Sequence, residues 1–268
     1  MSEQARTAPL APPRPRDEVV VASYNVHRCV GIDGRHELDR VAAVIAELDA
    51  DVIGLQEIDS GAGIEHGRDQ LDALARGTGY AHVAGPTLRR RDGHVGNGLL
   101  TRLPVTSVRP LDLSVPRREP RGALDVEMEL ATPGGPARLR VVATHFGLAA
   151  AERRAQCERL LGLLAPRGED YAVLLGDFNE WFAPARLLRR IHSTFGPARG
   201  VRSWPSPLPL LALDRIWVHP DRSIRSFAAH RSPLARCASD HLPVRAVIAV
   251  AGSRARPSRT TGHRKDPR

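Results

Sequence analysis

Short polar stretches recur where the apolar runs of this 268-residue chain end. The plainest is "LLGDFNEW" (Leu174–Trp181), in which Asp177 and Asn179 follow an apolar run across Gly176. Read in order, the runs deliver Asn25, Glu57, Asn97, His145, Asp177 with Asn179, Asp214, and Asp240 with His241. Any one of these is an ordinary strand end, because Asp and Asn satisfy turn backbones. Together they form a donor set with a chemistry. Carboxylate oxygens suit a hard cation, and a carboxylate or imidazole can take a proton from an attacking water. Neutral or cationic donors can hold a pentacovalent phosphorus. These are the groups that magnesium-dependent hydrolysis of a phosphoester requires. His27, His36, His94 and His192 read instead as surface or loop residues, and Trp181 and Trp204 as packing or groove walls.

The elements that must carry these groups follow from hydrophobic period. Apolar or alternating runs predict strands over 19–26, 51–57, 97–105, 122–130, 137–146, 171–179, 213–220 and 242–250. Residues 37–50 form an amphipathic helix with Leu38, Val41, Val44, Ile45 and Leu48 on one face, and 151–165 form a second. A short helix over 70–80 closes on glycine. Gly176 is expected to let the backbone turn, so that Asp177 and Asn179 point the same way out of the sheet. Two helix–strand units each end in an acid, Glu57 and Asp177, and no linker divides them. The expected fold is therefore α/β (α+β), one domain over 18–251 with two packed sheets flanked by helices. No G-x-G-x-x-G follows the first strand, which argues against a dinucleotide-binding sheet.

Residues 1–17 and 252–268 are rich in Pro, Arg and Ser without apolar period and read as disordered tails. The net charge of +9 is partly a property of the second tail, where six cations from Arg254 to Arg268 face Asp266 alone. Lys265 is the one lysine of the chain. The charge is thus a poor sign of nucleic-acid binding, although a basic tail can touch anionic nucleic acid or lipid. No apolar stretch suits a signal peptide or a membrane span, and Cys29, Cys157 and Cys237 form no C-x-x-C pattern. A cytoplasmic monomer is the expectation.

The motifs "SYNVH", "LQEID", "GNGLLTRLPV", "ATHFGL", "GDFNEW", "LDRIWV" and "SDHLPV" resemble, in order, those of the endonuclease/exonuclease/phosphatase superfamily built on the DNase I fold. GDFN together with a C-terminal SDH is the specific combination. The resemblance implies a four-layer sandwich, with two mixed β-sheets packed face to face and helices outside. It also implies cleavage of P–O bonds with Mg²⁺ or Mn²⁺. Position by position, it implies Glu57 as principal metal ligand, with Asn25 beside it and Asp240 reaching the same ion. Asp177 and Asn179 orient the attacking water and a phosphate oxygen. His241 lies beside the scissile phosphate with Asp214 as its carboxylate partner, and His145 donates to a phosphoryl oxygen or the leaving group. Asn97 is a phosphate contact or a support for residues that make one, and Arg28, Arg121 and Arg215 are candidates to hold phosphate. Whether Asp177 or His241 acts as general base stays open.

The departures bear on substrate. The acid that the family's nucleases pair with the first histidine has no clear counterpart, Asp92 and His94 being the residues in that region. The tryptophan and cysteine that precede Asp-Arg in inositol phosphatases are replaced by "LLALDRI", and the apurinic endonucleases' aromatic C-terminal segment is missing. The loop "WPSPLPLLALDRI" reads as core, or alternatively as an apolar rim facing a phospholipid. A phosphodiesterase is the expected activity. A nucleic acid, a phospholipid head group and a soluble metabolite all remain as substrates, with a vestigial phosphate-binding protein as the non-enzymatic alternative.

Overall fold

Four layers follow from two sheets that each bury both faces. The computed structural model describes residues 15–60, 69–91, 93–164, 169–182, 184–198 and 200–250. The first sheet contains β1 (Glu18–Asn25), β2 (Val52–Asp59), β3 (Ala81–Arg90), β4 (Gly93–Thr101), β10 (Ile224–Ala229) and β11 (Val244–Ala249), in the order β10-β11-β1-β2-β4-β3. The second contains β5 (Val105–Asp112), β6 (Gly122–Thr132), β7 (Gly135–His145), β8 (Tyr171–Asp177) and β9 (Asp214–His219), paired in chain order. Only β1/β2 and β7/β8 run parallel among the pairs formed. Each of these pairs is joined by a helical crossover, as parallel neighbours require.

Val21, Val52, Leu99, Val126, Val141, Val173 and Val218 belong to the apolar layer between the sheets. The sheets approach so closely at Gly54 that an added Cβ would lie 2.2 Å from Leu175 Cδ1. Helices α1 (Leu38–Leu48) and α2 (Gln70–Thr78) cover the outside of the first sheet through Val41, Val44, Ile45, Leu48, Leu71 and Leu74. Helices α3 (Ala150–Leu163) and α4 (Arg186–Phe195) cover the second through Cys157, Leu160, Leu187, Leu188 and Ile191, against Phe178 and Trp217. A short helix, α5 (Ala235–Ala238), precedes the SDH stretch.

The expected four-layer architecture is present, with differences in detail. The run over 97–105 is two strands in different sheets: the chain crosses between them at Arg102–Pro104, and proline cannot donate to a ladder. Strands β3 and β10 carry weaker local signals, and helix α4 was not among the expected elements. For α4 the period of Leu187, Leu188, Ile191 and Phe195 was there to be read. Residues 1–14 and 251–268, most of the expected tails, lie outside the described residues. Arg16 and Asp17, assigned to the first tail, bond to the body: Arg16 N–H donates to Ala131 O, and Val250 N–H donates to Asp17 O at 2.8 Å.

Candidate active site

Register alone lines up three of the expected groups. His145 pairs with Asp177 across β7/β8, and Asp177 pairs with Asp214 across β8/β9, so three adjacent strands end one row in a line. Gly176 serves this row in a way other than expected. It lies inside β8 rather than at a turn, and a Cβ there would sit 2.0 Å from Thr144 O. Glycine is needed both for the close approach of β7 and for its own φ of 151°, and β8 continues to Asp177.

The first sheet contributes from the ends of its parallel pair. Asn25 is the last residue of β1. In β2 the register shifts between Leu55 and Ile58, and Glu57 sits in the bulge with φ of 59°. Such a bulge re-aims a side chain and stores local strain, which is common beside functional clefts. Asn25 Nδ2 donates to Glu57 Oε1 and to Asp177 Oδ2, both at 3.1 Å, and so ties the two sheets together at this edge. Its side-chain Oδ1 accepts from His27 N–H.

Asp177 is the hub. It is buried, its Oδ1 accepts Asn179 N–H at 2.9 Å, and its Oδ2 lies 3.6 Å from His145 Nε2 and 3.7 Å from His241 Nε2. Asn179, with φ of 50°, donates from Nδ2 to Phe146 O. His241 Nδ1–H donates to Asp214 Oδ2 at 2.8 Å, and that same oxygen accepts Ser203 Oγ–H at 2.6 Å. Burial works against a charged His241, but Asp214, Asp177 and Asp240 outweigh it and raise the imidazole to about 10. His145 goes the other way, to about 4. Burial is the main cause, with Asp177 opposing and Arg121 and His241 adding to the fall. The two rings are thus pushed to opposite protonation states at neutral pH, the usual signature of divided roles.

The partner of His145 is not an acid. Arg121 Nη1 stands 3.1 Å from His145 Nδ1, and a guanidinium can only donate. Nδ1 is therefore placed to accept, while Nε2 lies 3.2 Å from Asn179 Nδ2 and 3.6 Å from Asp177 Oδ2. His94 is engaged elsewhere, with Ser60 Oγ at 2.7 Å, and Asp92 lies outside the described residues. Nothing local in the sequence ties Arg121 to His145; only the β6/β7 pairing does, through Ala123 opposite Thr144.

Glu57, Arg121, His145, Asp177, Asn179 and His241 line one cavity of about 440 Å³, together with Arg28, Asn97 and Asp240, while Asn25 and Asp214 support its wall from behind through Asp177 and His241. Asn97 Nδ2 donates to Gly122 O at 2.9 Å, and Arg28 is exposed in a left-handed turn at the mouth. Trp181 and Trp204 line the cavity as the expected groove walls, and Asp240 Oδ2 accepts the Trp204 indole N–H at 3.2 Å. Arg215 does not reach the cavity: it is buried with Nη2 near Glu180 O at 3.4 Å. The proline loop corrects the expectation of core, because Leu208 and Leu210 stand out in solvent.

Residues 22–241 match the family model described as "Endonuclease/Exonuclease/phosphatase family". The chain belongs to that family. It is 30% identical over 247 residues to "Uncharacterized protein YbhP" of Escherichia coli K12, covering 85% of this chain and 95% of that one. Among solved structures it is similar to an endonuclease/exonuclease/phosphatase from Beutenbergia cavernae, with a TM-score of 0.70 and 23% identity over 88% of this chain and 72% of the other. It also resembles D. rerio TDP2 complexed with a single-strand DNA product, with a TM-score of 0.63 and 16% identity over 88% and 100% of the chains. At those identities the structures establish the shared fold. The family acts on phosphoester bonds, in general hydrolytically, and typically binds a divalent metal.

The donor chemistry fits such an ion. Glu57 and Asp240 are carboxylates on the cavity wall, and Asp214 Oδ1 is buried without a hydrogen-bond partner among the described residues. Asp177, Asp214 and His241 also bring ligand atoms within 4.8 Å of one another, but hydrogen bonding already accounts for that closeness on the Asp214 side. All-oxygen sets of this kind suit Mg²⁺ or Mn²⁺.

Proposed function

We propose that the protein is a Mg²⁺- or Mn²⁺-dependent phosphodiesterase. The observation that carries this reading is the convergence of His145 Nε2 and His241 Nε2 on Asp177 Oδ2, with Asn25 bridging from Asp177 to Glu57. Glu57 and Asp240 are the carboxylates that would hold the ion, with Asn25 beside them. A bound divalent cation supplies charge to a non-bridging phosphoryl oxygen. His241, held cationic by Asp214, acts as a donor to the phosphoryl oxygens. That leaves Asp177 to take the proton of the attacking water, which Asn179 helps to orient. His145, neutral with its proton on Nε2, donates to the phosphoryl or leaving oxygen as the P–O bond breaks. Asn97 and Arg28 hold the phosphate from the mouth. A decayed, non-enzymatic site is disfavoured because Glu57, Asp177, Asp240 and His241 are all retained on one cavity wall.

The test compares hydrolysis of bis-p-nitrophenyl phosphate and p-nitrophenyl phosphate with Mg²⁺, with Mn²⁺ and after chelation. Diester turnover that needs metal and disappears in Asp177→Ala supports the reading. Turnover that survives either chelation or that substitution refutes it.

A further inference from the structure

We propose that the rim of this cavity is a docking surface for an anionic phospholipid bilayer, and that the diester presented to the site is a phospholipid head group. This rests on the phosphodiesterase reading and narrows its substrate.

Large apolar side chains left in solvent are few among the described residues, and apart from Ile32 and Leu163 the most exposed of them lie in segments that border this cavity. Leu148, Trp181, Phe182, Leu208 and Leu210 are each 55–72% exposed. Leu148 and Trp181 line the cavity directly, and Phe182 follows Trp181. Arg153 joins the first two. It donates to Leu148 O and to Glu180 Oε2, and its guanidinium lies 5.4 Å from the Trp181 ring centroid. Leu208 and Leu210 project from a loop whose two ends, Trp204 and Leu211, also line the cavity and hydrogen-bond to each other. That loop is pinned from behind: Arg236 Nη1 donates to Pro207 O at 2.8 Å, and Ser206 N–H donates to Asp240 O. On the same support, Ile32 N–H donates to Cys237 O, which brings a further half-exposed apolar side chain to this end.

Monomeric proteins rarely group exposed apolar residues around one opening unless something covers them. The charges beside the rim indicate what does. Exposed Arg28 lines the mouth, and exposed Arg118 bounds the adjoining depression together with Leu148 and Glu119, whereas Arg121 is turned inward onto His145 and Glu119. Apolar side chains at acyl depth with arginines at head-group level match an anionic lipid interface. A nucleic acid would be met by stacking aromatics along a basic track, whereas three of the five rim residues are leucines, which offer a base no π-face.

The experiment floats the full chain with phosphatidylglycerol/phosphatidylethanolamine vesicles and with phosphatidylcholine vesicles, in low and high salt. The wild type is compared with a Leu208→Glu/Leu210→Glu variant. Both positions are exposed and outside the cavity wall, so the variant keeps the fold, the basic C-terminal residues and turnover of soluble bis-p-nitrophenyl phosphate. The expected result is partition of the wild type onto phosphatidylglycerol vesicles that persists in part at high salt and falls about tenfold or more in the variant. Release of phosphate-bearing head group from those vesicles should fall with it. Equal flotation of wild type and variant overturns the docking surface. Turnover of the soluble diester with no vesicle binding overturns the lipid proposal and leaves the phosphodiesterase reading standing. Vesicle binding without turnover of any diester sinks that reading and the substrate claim, and leaves only the docking surface. Binding of single-stranded DNA in place of vesicles would assign the rim to nucleic acid instead.

Discussion

Replacing Asp214 by Asn probes the site where its geometry is tightest. Asp214 and His241 meet at 2.8 Å, with side chains 0% and 7% exposed, so water screens the contact little. A hydrogen bond to a charged partner contributes about 1.5–3 kcal/mol net. At about 1.4 kcal/mol per factor of ten, its loss from a transition state that needs the imidazolium lowers kcat by roughly tenfold to 150-fold. Two further effects push the loss upward. The Asn side chain can present its NH₂ to Nδ1–H and turn the ring, and it no longer offsets the burial that opposes the imidazolium. About 10² to 10³ is the expected total, against a ceiling of roughly 10⁴ for the comparable change in a protease triad. Ser203 can still donate to the amide oxygen, so the fold should persist. Initial rates on bis-p-nitrophenyl phosphate at saturating Mn²⁺ measure kcat, while circular dichroism and metal titration verify the fold and the ion site. A folded, metal-binding variant with kcat within threefold of wild type would show that the dyad does not carry the reaction.

Three further outcomes follow from contacts described above. Arg121→Met removes the donor facing His145 Nδ1, so ¹⁵N spectra should change from the Nε2–H tautomer to a mixture and kcat should fall about tenfold or more with little change in KM; an unchanged tautomer refutes the assignment. Buried Asp125 resists ionisation through burial, but Arg140 at 2.8 Å and Arg109 at 2.7 Å more than compensate and lower its pKa. Its stabilisation is therefore present above the ordinary carboxylate range and is lost as pH falls through the lowered value. Asp125→Asn should cost about 3 kcal/mol at pH 7 by leaving Arg140 buried with a weakened partner set, and urea midpoints of the two proteins should converge in acid. Gly54→Ala places a methyl group 2.2 Å from Leu175 between the sheets and should cost about 1–3 kcal/mol, read as a lowered Tm; an unchanged Tm would mean that the sheets separate freely there.

The polar residues at the ends of apolar runs were legible because a strand announces itself locally. Alternation or an unbroken apolar run marks it, and the residue after the run marks its end. His145 and Asp177 close their strands and Asp214 opens the next, so all three could be chosen as boundary residues before their register was known, and they fall on one row. Helix α1 was legible for the same reason, through the 3.6-residue period, whereas α3 buries Glu152, Arg153 and Gln156 beside Cys157 and Leu160 and is not the amphipathic helix expected. Where the signal was short or belonged to an edge, as in β3 and β10, it was not.

The sequence by itself determined which chemical groups this protein can bring to a phosphoester and which segments mount them, because side-chain type and local period are properties of neighbours in the chain. Only the tertiary structure decided what each group touches. The bulge that aims Glu57 arises from pairing with β4, and Arg121 reaches His145 because β6 lies beside β7. Gly176 is required by the carbonyl of Thr144 rather than by a turn. Leu208 and Leu210, indistinguishable from core residues by composition, are left in solvent by a loop tied down at its ends. Contacts between residues far apart in the chain depend on register and on the packing of two sheets, and no short window of sequence contains either.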